Sequence, residues 1–312
     1  MAELRKLCVN KLDKFLSEDE KVVLLDADLM GSLGSACLLE KYPDRVINCG
    51  IMEAQEMSCA AGLKIAGMKP FVHTFTAFAS RRCLDQLFLS IYQNAPFVVL
   101  ASDAGVQAVY NGGTHMSFED MGIIRGINNS VVLEPTDEYV LNSILDEVYE
   151  KNDKFYWIRL TRKEVPTIYN KNEKFEIGKA KVLRKGTDVC IIANGLMVNE
   201  ALKAYDILLE EDISATVIDM FTLKPIDKDC IIENARDVKL VVTAENHSIT
   251  NGLGTAVAEV LAENMLPKLV RIGIDNKFGQ VGSLDYLKKE YGLIAQNIVE
   301  QIKKGLQCSE LR

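Results

Sequence analysis

Glu53 is the residue whose charge agrees least with its sequence surroundings. It stands between a short apolar strand pattern and the Ala- and Gly-rich run EMSCAAGLKIAG, which predicts a tightly packed helix in a dry environment. A carboxylate in such a place either reaches water at an edge or is kept for its proton. Glu56 lies in the first turn of the same predicted helix, where the helix dipole alone favours an acid. Glu53 is therefore the candidate for proton chemistry.

Side chains suited to ligand binding follow several other predicted strands of the first half. Phe75 and Phe78 flank a strand-to-helix corner, and Arg81 follows one turn later. His115 lies on a polar, glycine-containing loop, and Arg162 lies at the end of the last strand. Each alone is most simply a core aromatic, a surface turn residue or a solvated cation. Together they occupy successive strand ends, where open α/β sheets bind ligands, and so indicate one site.

The composition is that of a globular protein rather than a disordered or membrane protein. The 312 residues are 48% apolar and 26% charged, and they suffice for two domains, each with its own core. The longest apolar runs, such as PFVVLA, have the length of a strand and not of a bilayer span. The first residues, MAELRKLCVNKLDKFL, predict a charged amphipathic helix without an apolar signal region, so secretion is not expected. The net charge of −8 argues against a nucleic-acid partner.

The eight cysteines and three histidines form neither a metal-binding nor a disulfide pattern. The cysteines are scattered and include no C-x-x-C pair. Reduced thiols in a cytoplasmic protein explain this pattern best. We therefore expect a cytoplasmic location and no metal ligands from this chain.

Strand and helix patterns alternate along two stretches of the chain, with a break between them. Short β-rich runs bounded by Gly, Pro or Asp alternate with helical patterns. One helix is expected across ASRRCLDQLFLSIYQ, and another from Thr136, a candidate N-cap, to Lys151 in its last turn. The segment between the two stretches loses the alternation and gains charge. We predict an α/β protein with mostly parallel sheets flanked by helices, divided into domains at 1–165 and 187–312 with a linker at 166–186.

Common catalytic motifs are absent from the sequence. It contains no G-x-x-x-x-G-K-[ST] and no G-x-G-x-x-G that opens a helix. The lone G-x-G in NGLGTA (251–256) is more typical of a helix entry turn. There is no nucleophile elbow, and no Ser-His-Asp order can be assigned from three histidines. The candidate site needs another kind of chemistry.

Four stretches are similar to one known family. GIMEAQEMSCAAGL, TFTAF, GGTH and the later IDMFTLKPID resemble, in order and over essentially the whole chain, the C-terminal half of transketolase. More loosely, they resemble 1-deoxyxylulose-5-phosphate synthase and the β subunit of 2-oxoacid dehydrogenase E1. The resemblance implies a thiamin-diphosphate pyrimidine-binding domain followed by the transketolase C-terminal domain.

The resemblance implies cofactor-binding roles for four residues. Glu53 stands where the family has the glutamate that hydrogen-bonds N1′ of the aminopyrimidine, a proton-relay role that suits a carboxyl group in a dry pocket. Phe78 would stack on that ring, and Phe75 would line its pocket. Asp28 stands where the family has an acid near the cofactor and the subunit contact. The implied reaction moves a two-carbon ketol unit from a ketose to an aldose, with the cofactor as electron sink.

The resemblance also implies substrate contacts, with two departures from the family pattern. His115 would contact hydroxyl or carbonyl oxygens, and Arg162 would hold the terminal anion, for which a guanidinium has suitable geometry. Asn111 stands where the family usually has Asp, so it keeps the hydrogen-bonding reach without the charge. Arg81 stands where transketolases commonly have an aromatic residue, and would add a cation for a differently placed anion. Whether the anion is a phosphate, a sulfonate or another group stays open.

The G-D-G motif with which this family binds the diphosphate and its divalent metal does not occur in the sequence. The resemblance therefore implies the C-terminal subunit of a split transketolase. A partner chain with the diphosphate-binding domain would hold the Mg²⁺ or Ca²⁺, and we expect an α2β2 heterotetramer.

Two other classes of protein share parts of this pattern. The β subunit of E1 has the same two domains, but the Thr-His pair after the glycines of GGTH favours a transketolase or a deoxyxylulose-type enzyme. A non-catalytic α/β binding protein is disfavoured because Glu53, Phe78, His115 and Arg162 occur together.

Overall fold

Two sheets flanked by helices make up the structure, a computed structural model that describes residues 2–161 and 163–310. Side-chain positions are described for 3–161 and 163–307. The predicted α/β fold class with mostly parallel sheets is confirmed. Within the described ranges, no helix is both long enough and apolar enough to cross a membrane.

The first half alternates short apolar strands with amphipathic helices. Its strands are β1 (Ala2–Glu3), β2 (Val22–Asp26), β3 (Val46–Asn48), β4 (Lys69–Phe75), β5 (Val98–Ser102), β6 (Ser130–Leu133), β7 (Phe155–Leu160) and β8 (Glu164–Val165). Its helices are α1 (Leu4–Glu18), α2 (Met30–Leu33), α3 (Ala36–Lys41), α4 (Glu53–Ile65), α5 (Thr76–Arg82), α6 (Leu84–Tyr92), a 3₁₀ helix (Gly105–Asn111), α7 (Asp120–Arg125) and α8 (Glu138–Lys151).

The second half repeats this alternation. Its strands are β9 (Lys181–Arg184), β10 (Val189–Ala193), β11 (Ala215–Asp219), β12 (Thr222–Lys224), β13 (Leu240–Ser248) and β14 (Leu269–Ile274). Its helices are α9 (Leu196–Glu210), α10 (Lys228–Ala235), α11 (Leu253–Glu263), α12 (Leu284–Glu290) and α13 (Ala295–Glu310).

Both main sheets are parallel except at one edge. The first has the order β12-β6-β7-β5-β4-β2-β3, and only β12 runs antiparallel to its neighbour. The second has the order β14-β13-β10-β11-β9, with β9 antiparallel to β11. Central strands such as β2, β5 and β10 are buried along their whole length. This is expected for parallel strands covered by helices on both faces, and it explains their continuous apolar runs.

The two halves are joined more closely than two domains with separate cores would be. β12 comes from the second half but completes the first sheet beside β6. β9 lies inside the predicted linker 166–186 and belongs to the second sheet. One hydrophobic cluster also draws side chains from both sheets, including those of Val72 on β4 and Ile192 on β10. The sequence pattern gave no sign of these contacts, because it reports local periodicity and not the packing of one half on the other.

Two local predictions about helices were wrong. Asp137, not Thr136, caps α8, since its carboxylate accepts hydrogen bonds from the backbone N–H groups of Tyr139 and Val140. Thr136 instead donates to buried Asp219 at 2.7 Å. The long helix expected across ASRRCLDQLFLSIYQ is interrupted at Cys83, so that α5 and α6 are separate.

The expected entry turn at NGLGTA is present, and α11 begins there. The side chain of Glu245 accepts hydrogen bonds from the backbone N–H groups of Leu253 and Gly254, at 2.6 and 2.8 Å. A carboxylate at a helix N-terminus is favoured because it satisfies donors that have no partner within the helix.

Candidate functional site

The predicted site residues lie at the carboxyl edge of the first sheet. Asp28 follows β2, Glu53 follows β3, Phe75 ends β4, and the loop with His115 follows β5. Because these four strands are consecutive and parallel in the order β5-β4-β2-β3, their carboxyl ends lie side by side. Arg162, the predicted anion ligand, lies outside the described residues.

Glu53 is the first residue of α4, and its side chain is buried. Its carboxylate Oε1 lies 2.6 Å from Nη1 of Arg82, whose own side chain is 49% exposed. The negative group is thus fixed at a helix N-terminus and reaches the surface only through a cation. This arrangement makes Glu53 a buried hydrogen-bond acceptor at the carboxyl edge of the first sheet.

Three rings form a wall beside this acceptor. The ring centroids of Phe75 and Phe78 are 5.8 Å apart, and that of His115 lies 5.1 Å from Phe78 and 6.1 Å from Phe75. The guanidinium carbon of Arg82 lies over the Phe78 ring, 4.0 Å from its centroid. A planar cation therefore bridges the acceptor Glu53 and the aromatic face of Phe78.

Sequence reasoning gave Arg82 no role in the site. Its signal was its place in α5, one turn after Phe78 and beside Arg81. Two consecutive arginines on a helix point in different directions. Only the packing of α5 against α4 shows that Arg82 is the one that meets Glu53.

Arg81 fixes the loop that carries His115. Its guanidinium donates to the carboxylate of Glu119 and to the carbonyl oxygens of Thr114 and Met116. These contacts hold both sides of the loop to α5. In this structure Arg81 is engaged with the loop, and its predicted contact with substrate stays a prediction.

The loop before His115 has a constrained backbone. Val109 has φ 43° and ψ −115°, an unusual conformation for a β-branched residue. Gly112 has φ 78°, and a Cβ on Gly113 would lie 2.4 Å from the carbonyl oxygen of Gly279 in the second half. The two glycines of GGTH therefore serve different needs, one a left-handed turn and the other a close approach. Strained backbone of this kind persists where the surroundings hold it, often at functional sites.

The polar side chains of this edge have distinct exposures. The Thr114 hydroxyl lies 2.9 Å from Nδ1 of His115, which orients the half-buried imidazole ring. Asn111 is exposed at the end of the 3₁₀ helix. Asp28 is also exposed, has φ 61°, and accepts a hydrogen bond from Asn48 at 3.1 Å. Beside the loop lies a cleft of about 760 Å³, lined by Arg81 and Thr114 together with second-half residues 274 and 276–279.

A buried Ser-His-Asp string lies behind the site, although none could be assigned from the sequence. His73 Nδ1 is 2.7 Å from an Asp26 carboxylate oxygen, and His73 Nε2 is 3.0 Å from the Ser102 hydroxyl. All three side chains are sealed from solvent. A nucleophile needs access to its substrate, so these three residues do not serve as a hydrolytic triad. Their hydrogen bonds instead hold the ends of β2, β4 and β5 together.

Glu56 is buried more completely than the helix-dipole explanation implied. Its exposed fraction is 0%, and neither carboxyl oxygen has a hydrogen-bond partner among the described residues. Burial, together with the nearby carboxylates of Asp26 and Glu53, raises the pKa of Glu56 to about 9. The dipole accounts for an acid in this turn, but not for one without water or a partner.

The edge thus brings together a buried acceptor, an aromatic wall, a loop imidazole and a cation. Glu53, Phe75, Phe78 and His115 form one contact group with Arg82. Asn111 and Asp28 lie at the same edge in exposed positions. Such a group can hold a planar, hydrogen-bond-donating ring beside a polar substrate.

Comparison with known proteins gives the family. Residues 1–167 match the model of the transketolase pyrimidine binding domain, and residues 178–298 match that of the transketolase C-terminal domain. The chain is 42% identical over 297 residues to a 6-deoxy-6-sulfo-D-fructose transketolase subunit SqwH from Clostridium sp. (strain MSTE9), covering 95% of this chain and 92% of the relative. It is 30% identical over 300 residues to one of the subunits of an apulose-4-phosphate transketolase from Actinobacillus succinogenes, covering 95% of this chain and 96% of the relative.

A solved structure agrees with these relatives. The chain described as "Split gene transketolase, inactive beta4 tetramer" superimposes with a TM-score of 0.90 at 36% identity, covering 98% of this chain and 99% of that one. The match extends over both halves, so it includes the site edge and the second sheet. The chain belongs to the transketolase family, in which it corresponds to the C-terminal subunit of a split enzyme.

Proposed function

We propose that this chain supplies the pyrimidine half of a thiamin-diphosphate site in a split transketolase. The enzyme would transfer a two-carbon ketol unit from an anionic ketose to an aldose. One observation carries the proposal: a planar hydrogen-bond donor, the Arg82 guanidinium, already lies between Glu53 and the face of Phe78. It stands in for the protonated N1′ edge and the flat face of an aminopyrimidine.

The residues at this edge fit the pyrimidine end of the cofactor. Glu53 offers a buried acceptor with one cation at its open side, and the Phe78 face is available once Arg82 swings outward. Phe75 packs behind Phe78 and is itself buried. Bound thiamin diphosphate supplies the electron sink that makes the carbon–carbon bond next to a carbonyl breakable.

The chain's own residues contribute binding, orientation and proton control. Glu53 would hydrogen-bond N1′ and exchange a proton with it, and burial keeps water from competing for that bond. Phe75 and Phe78 would fix the plane of the ring and exclude water from it. His115, oriented by Thr114, would donate to or accept from the oxygens next to the reacting carbon.

Substrate selection would depend on the polar residues around the loop. We propose that Arg162 holds the terminal anion, that Asn111 reads a hydroxyl, and that Asp28 lies near the cofactor and the subunit contact. Arg81 would position the His115 loop through Glu119, in addition to its predicted anion contact. The names of the two relatives include a sulfonated and a phosphorylated sugar, which supports an anionic substrate of either kind.

A partner chain would complete the site. An apolar surface next to Glu53 and Arg82 exposes Ile51, Met52 and, on α6, Leu84, Phe88 and Tyr92. The rings of Phe88 and Tyr92 stack at 6.2 Å, which extends this surface. Exposed apolar patches of this kind mark protein–protein interfaces. We propose that the diphosphate-binding subunit covers it in an α2β2 cytoplasmic complex and holds the Mg²⁺ or Ca²⁺.

We also propose the division into a pyrimidine-binding domain at 1–165, a linker at 166–186 and a C-terminal domain at 187–312. The linker would include β9, which is an edge strand of the second sheet.

Reconstitution tests the proposed function. The purified chain should show no turnover with thiamin diphosphate and metal, whereas mixing it with a diphosphate-domain subunit should give ketol transfer. The solved relative described as an inactive β4 tetramer supports the first expectation. Donors with a phosphate end and with a sulfonate end should be compared in parallel.

Three outcomes would contradict the proposal. Turnover by the chain alone would exclude the shared site. Decarboxylation of pyruvate with glyceraldehyde phosphate as acceptor, without ketol transfer, would favour the deoxyxylulose-type alternative. Failure to bind any diphosphate-domain subunit or cofactor would favour a non-catalytic α/β protein.

A further inference from the structure

Glu56 places a carboxyl group in a fully buried position, where acids are normally absent unless they are paired. It lies one turn after Glu53 on the same face of α4, is completely buried, and has no hydrogen-bond partner on either carboxyl oxygen among the described residues. An unpartnered polar group of this kind lowers stability. Neither helix capping nor an ion pair accounts for it.

The groups that face Glu56 are acids and thiols. Asp26 approaches from β2 and is held by His73 from β4, and Glu53 and Cys59 lie on α4 itself. Glu56 also acts on the thiols of Cys49, before α4, and Cys83, between α5 and α6. Arg82, a cation at the same edge, is half exposed and bonds to Glu53. No group in this set neutralises a charge on Glu56.

Burial first, and then the carboxylates of Asp26 and Glu53, raise the pKa of Glu56 to about 9 from an ordinary value of 4.5. Because the folded-state pKa lies above the unfolded one, Glu56 is compatible with the fold when protonated. The stability that protonated Glu56 gives the fold is fully present below the ordinary glutamate pKa of 4.5, and it is lost progressively as the pH rises towards the folded-state pKa of about 9.

We propose that Glu56 is a positioning residue that keeps its own proton in the buried Asp26–Glu53–Glu56 cluster, so that no further negative charge lies beside Glu53 when its carboxyl group exchanges a proton with the cofactor. Three carboxylates this close cannot all ionise, since like charges in a dry site repel strongly. The proton is expected on Glu56, because it is the one of the three whose carboxyl oxygens both lack a hydrogen-bond partner among the described residues. As a neutral acid, Glu56 also places the O–H dipole of its carboxyl group one turn from Glu53 on α4, and an apolar side chain would lack this dipole. The assignment of Glu53 as the cofactor's acceptor rests on the proposed function.

Urea unfolding of the full chain tests the proton-holding role without partner or cofactor. Between about pH 6 and pH 8, the folded-to-unfolded ratio of the parent should fall about tenfold per pH unit relative to Glu56→Gln, which keeps the neutral shape. A ratio between parent and variant that does not change with pH would overturn the proposal.

Glu200 gives a matched control on α9. It is also buried, but Lys203, Lys288 and the backbone N–H of Ala295 donate hydrogen bonds to it. Although burial opposes the charge, the lysines lower the pKa of Glu200. The ionised Glu200 therefore contributes its full stabilisation at any pH above the ordinary glutamate pKa of 4.5. Glu200→Gln should lower the folded-to-unfolded ratio by a constant factor between about pH 6 and pH 8.

Carbon-13 NMR of labelled glutamate carboxyl groups gives a direct readout. One resonance should titrate near the value expected for Glu56 and disappear in Glu56→Gln. The absence of any glutamate that is protonated at neutral pH would overturn the proposal, whatever the enzyme assays show.

The influence on Glu53 is tested in the reconstituted enzyme. Glu56→Leu removes the O–H dipole and should move the acid limb of the pH–rate profile to higher pH, whereas Glu56→Gln should leave that limb at its parental position. A limb that stays in place in both variants would overturn the positioning role. If the complex has no ketol transfer while the unfolding and NMR results hold, the proposed function fails and the proton-holding role of Glu56 stands.

Discussion

Two buried charge clusters in this molecule differ in how their carboxyl groups are neutralised. At the junction of the halves, Arg159 pairs with Asp120 at 2.9 Å and with Glu134 at 2.7 Å, and all three side chains are almost fully buried. At the site edge, Asp26, Glu53 and Glu56 share no buried cation among the residues that the structure describes, and half-exposed Arg82 is the described cation that reaches Glu53.

The Arg159 cluster has the properties of a structural joint. Arg159 also donates to the backbone carbonyl oxygen of Asn246 in the second half, at 3.1 Å. Although burial opposes its charge, Asp120 and Glu134 raise the pKa of Arg159, so the cation persists. Burial raises the pKa of Glu134, and Arg159 opposes that shift. This cluster fixes how the halves meet and leaves little chemistry available.

The site cluster retains groups that the fold would be more stable without. Glu56 is fully buried and has no hydrogen-bond partner within residues 3–161 and 163–307, so it lowers stability at neutral pH. Glu53 has its compensating charge on a side that a ligand can enter. Local violations of packing rules are expected where function requires them. The difference teaches that buried acids paired with a buried cation serve the stability of the fold, whereas buried acids without such a cation, at the carboxyl edge of a sheet, indicate a functional site.

The largest change in stability is expected from removing the buried cation of the Arg159 cluster. Arg159→Met leaves Asp120 and Glu134 buried without their cation, so the free energy of unfolding should fall by about 3–5 kcal/mol. Urea denaturation of the full chain measures it.

Arg125 gives a control that also joins the two halves. It pairs with exposed Glu259 on α11. Arg125→Met should lower the free energy of unfolding by less than about 1 kcal/mol, because exposed pairs are screened by solvent. Equal losses in the two variants would mean that the buried cluster is not the joint.

A smaller effect, on substrate binding and not on stability, is expected from replacing Arg162. Arg162→Ala should raise KM for an anionic sugar by the equivalent of about 1–3 kcal/mol, because a charge-assisted contact is lost. It should affect a neutral acceptor such as glycolaldehyde far less and leave the free energy of unfolding nearly unchanged. Steady-state kinetics of the reconstituted enzyme, with Lys163→Ala as the neighbouring cation control, measures this.

The comparison between Arg159 and Arg162 can fail in a specific way. Equal losses on charged and neutral acceptors, or a fall in stability like that of Arg159→Met, would make Arg162 a structural residue. The distinction between charges that stabilise the fold and charges kept for chemistry would then not extend to Arg162.

Much of the fold was predictable because its signals are local. The strand runs, α1, α8 and the turn before α11 follow from periodicity and turn residues. The placement of Glu53 at the start of a helix was also predicted, since a carboxyl group before an Ala- and Gly-rich run is a local anomaly.

Other features depend on contacts between distant segments and could not be predicted. The Arg82–Glu53 pair requires the packing of α5 on α4, and the need for Gly113 depends on Gly279 in the other half. Glu56 shows a different limit, because an acid in a first helical turn has the same sequence pattern whether it is exposed or buried. Only the packing of the surrounding strands shows that its carboxyl group is buried and has no partner in the described part of the chain.

Replacement of Glu53 tests the central claim most directly. In the reconstituted complex, Glu53→Gln keeps the shape but lacks the carboxylate, so turnover should fall roughly 10²–10⁴-fold while thiamin diphosphate affinity weakens only modestly. Arg82→Gln, which breaks the same ion pair from the other side, should lower turnover far less. Turnover of Glu53→Gln near the parental value, or an equal loss in Arg82→Gln, would contradict the assignment of Glu53 as the cofactor's proton-controlling acceptor.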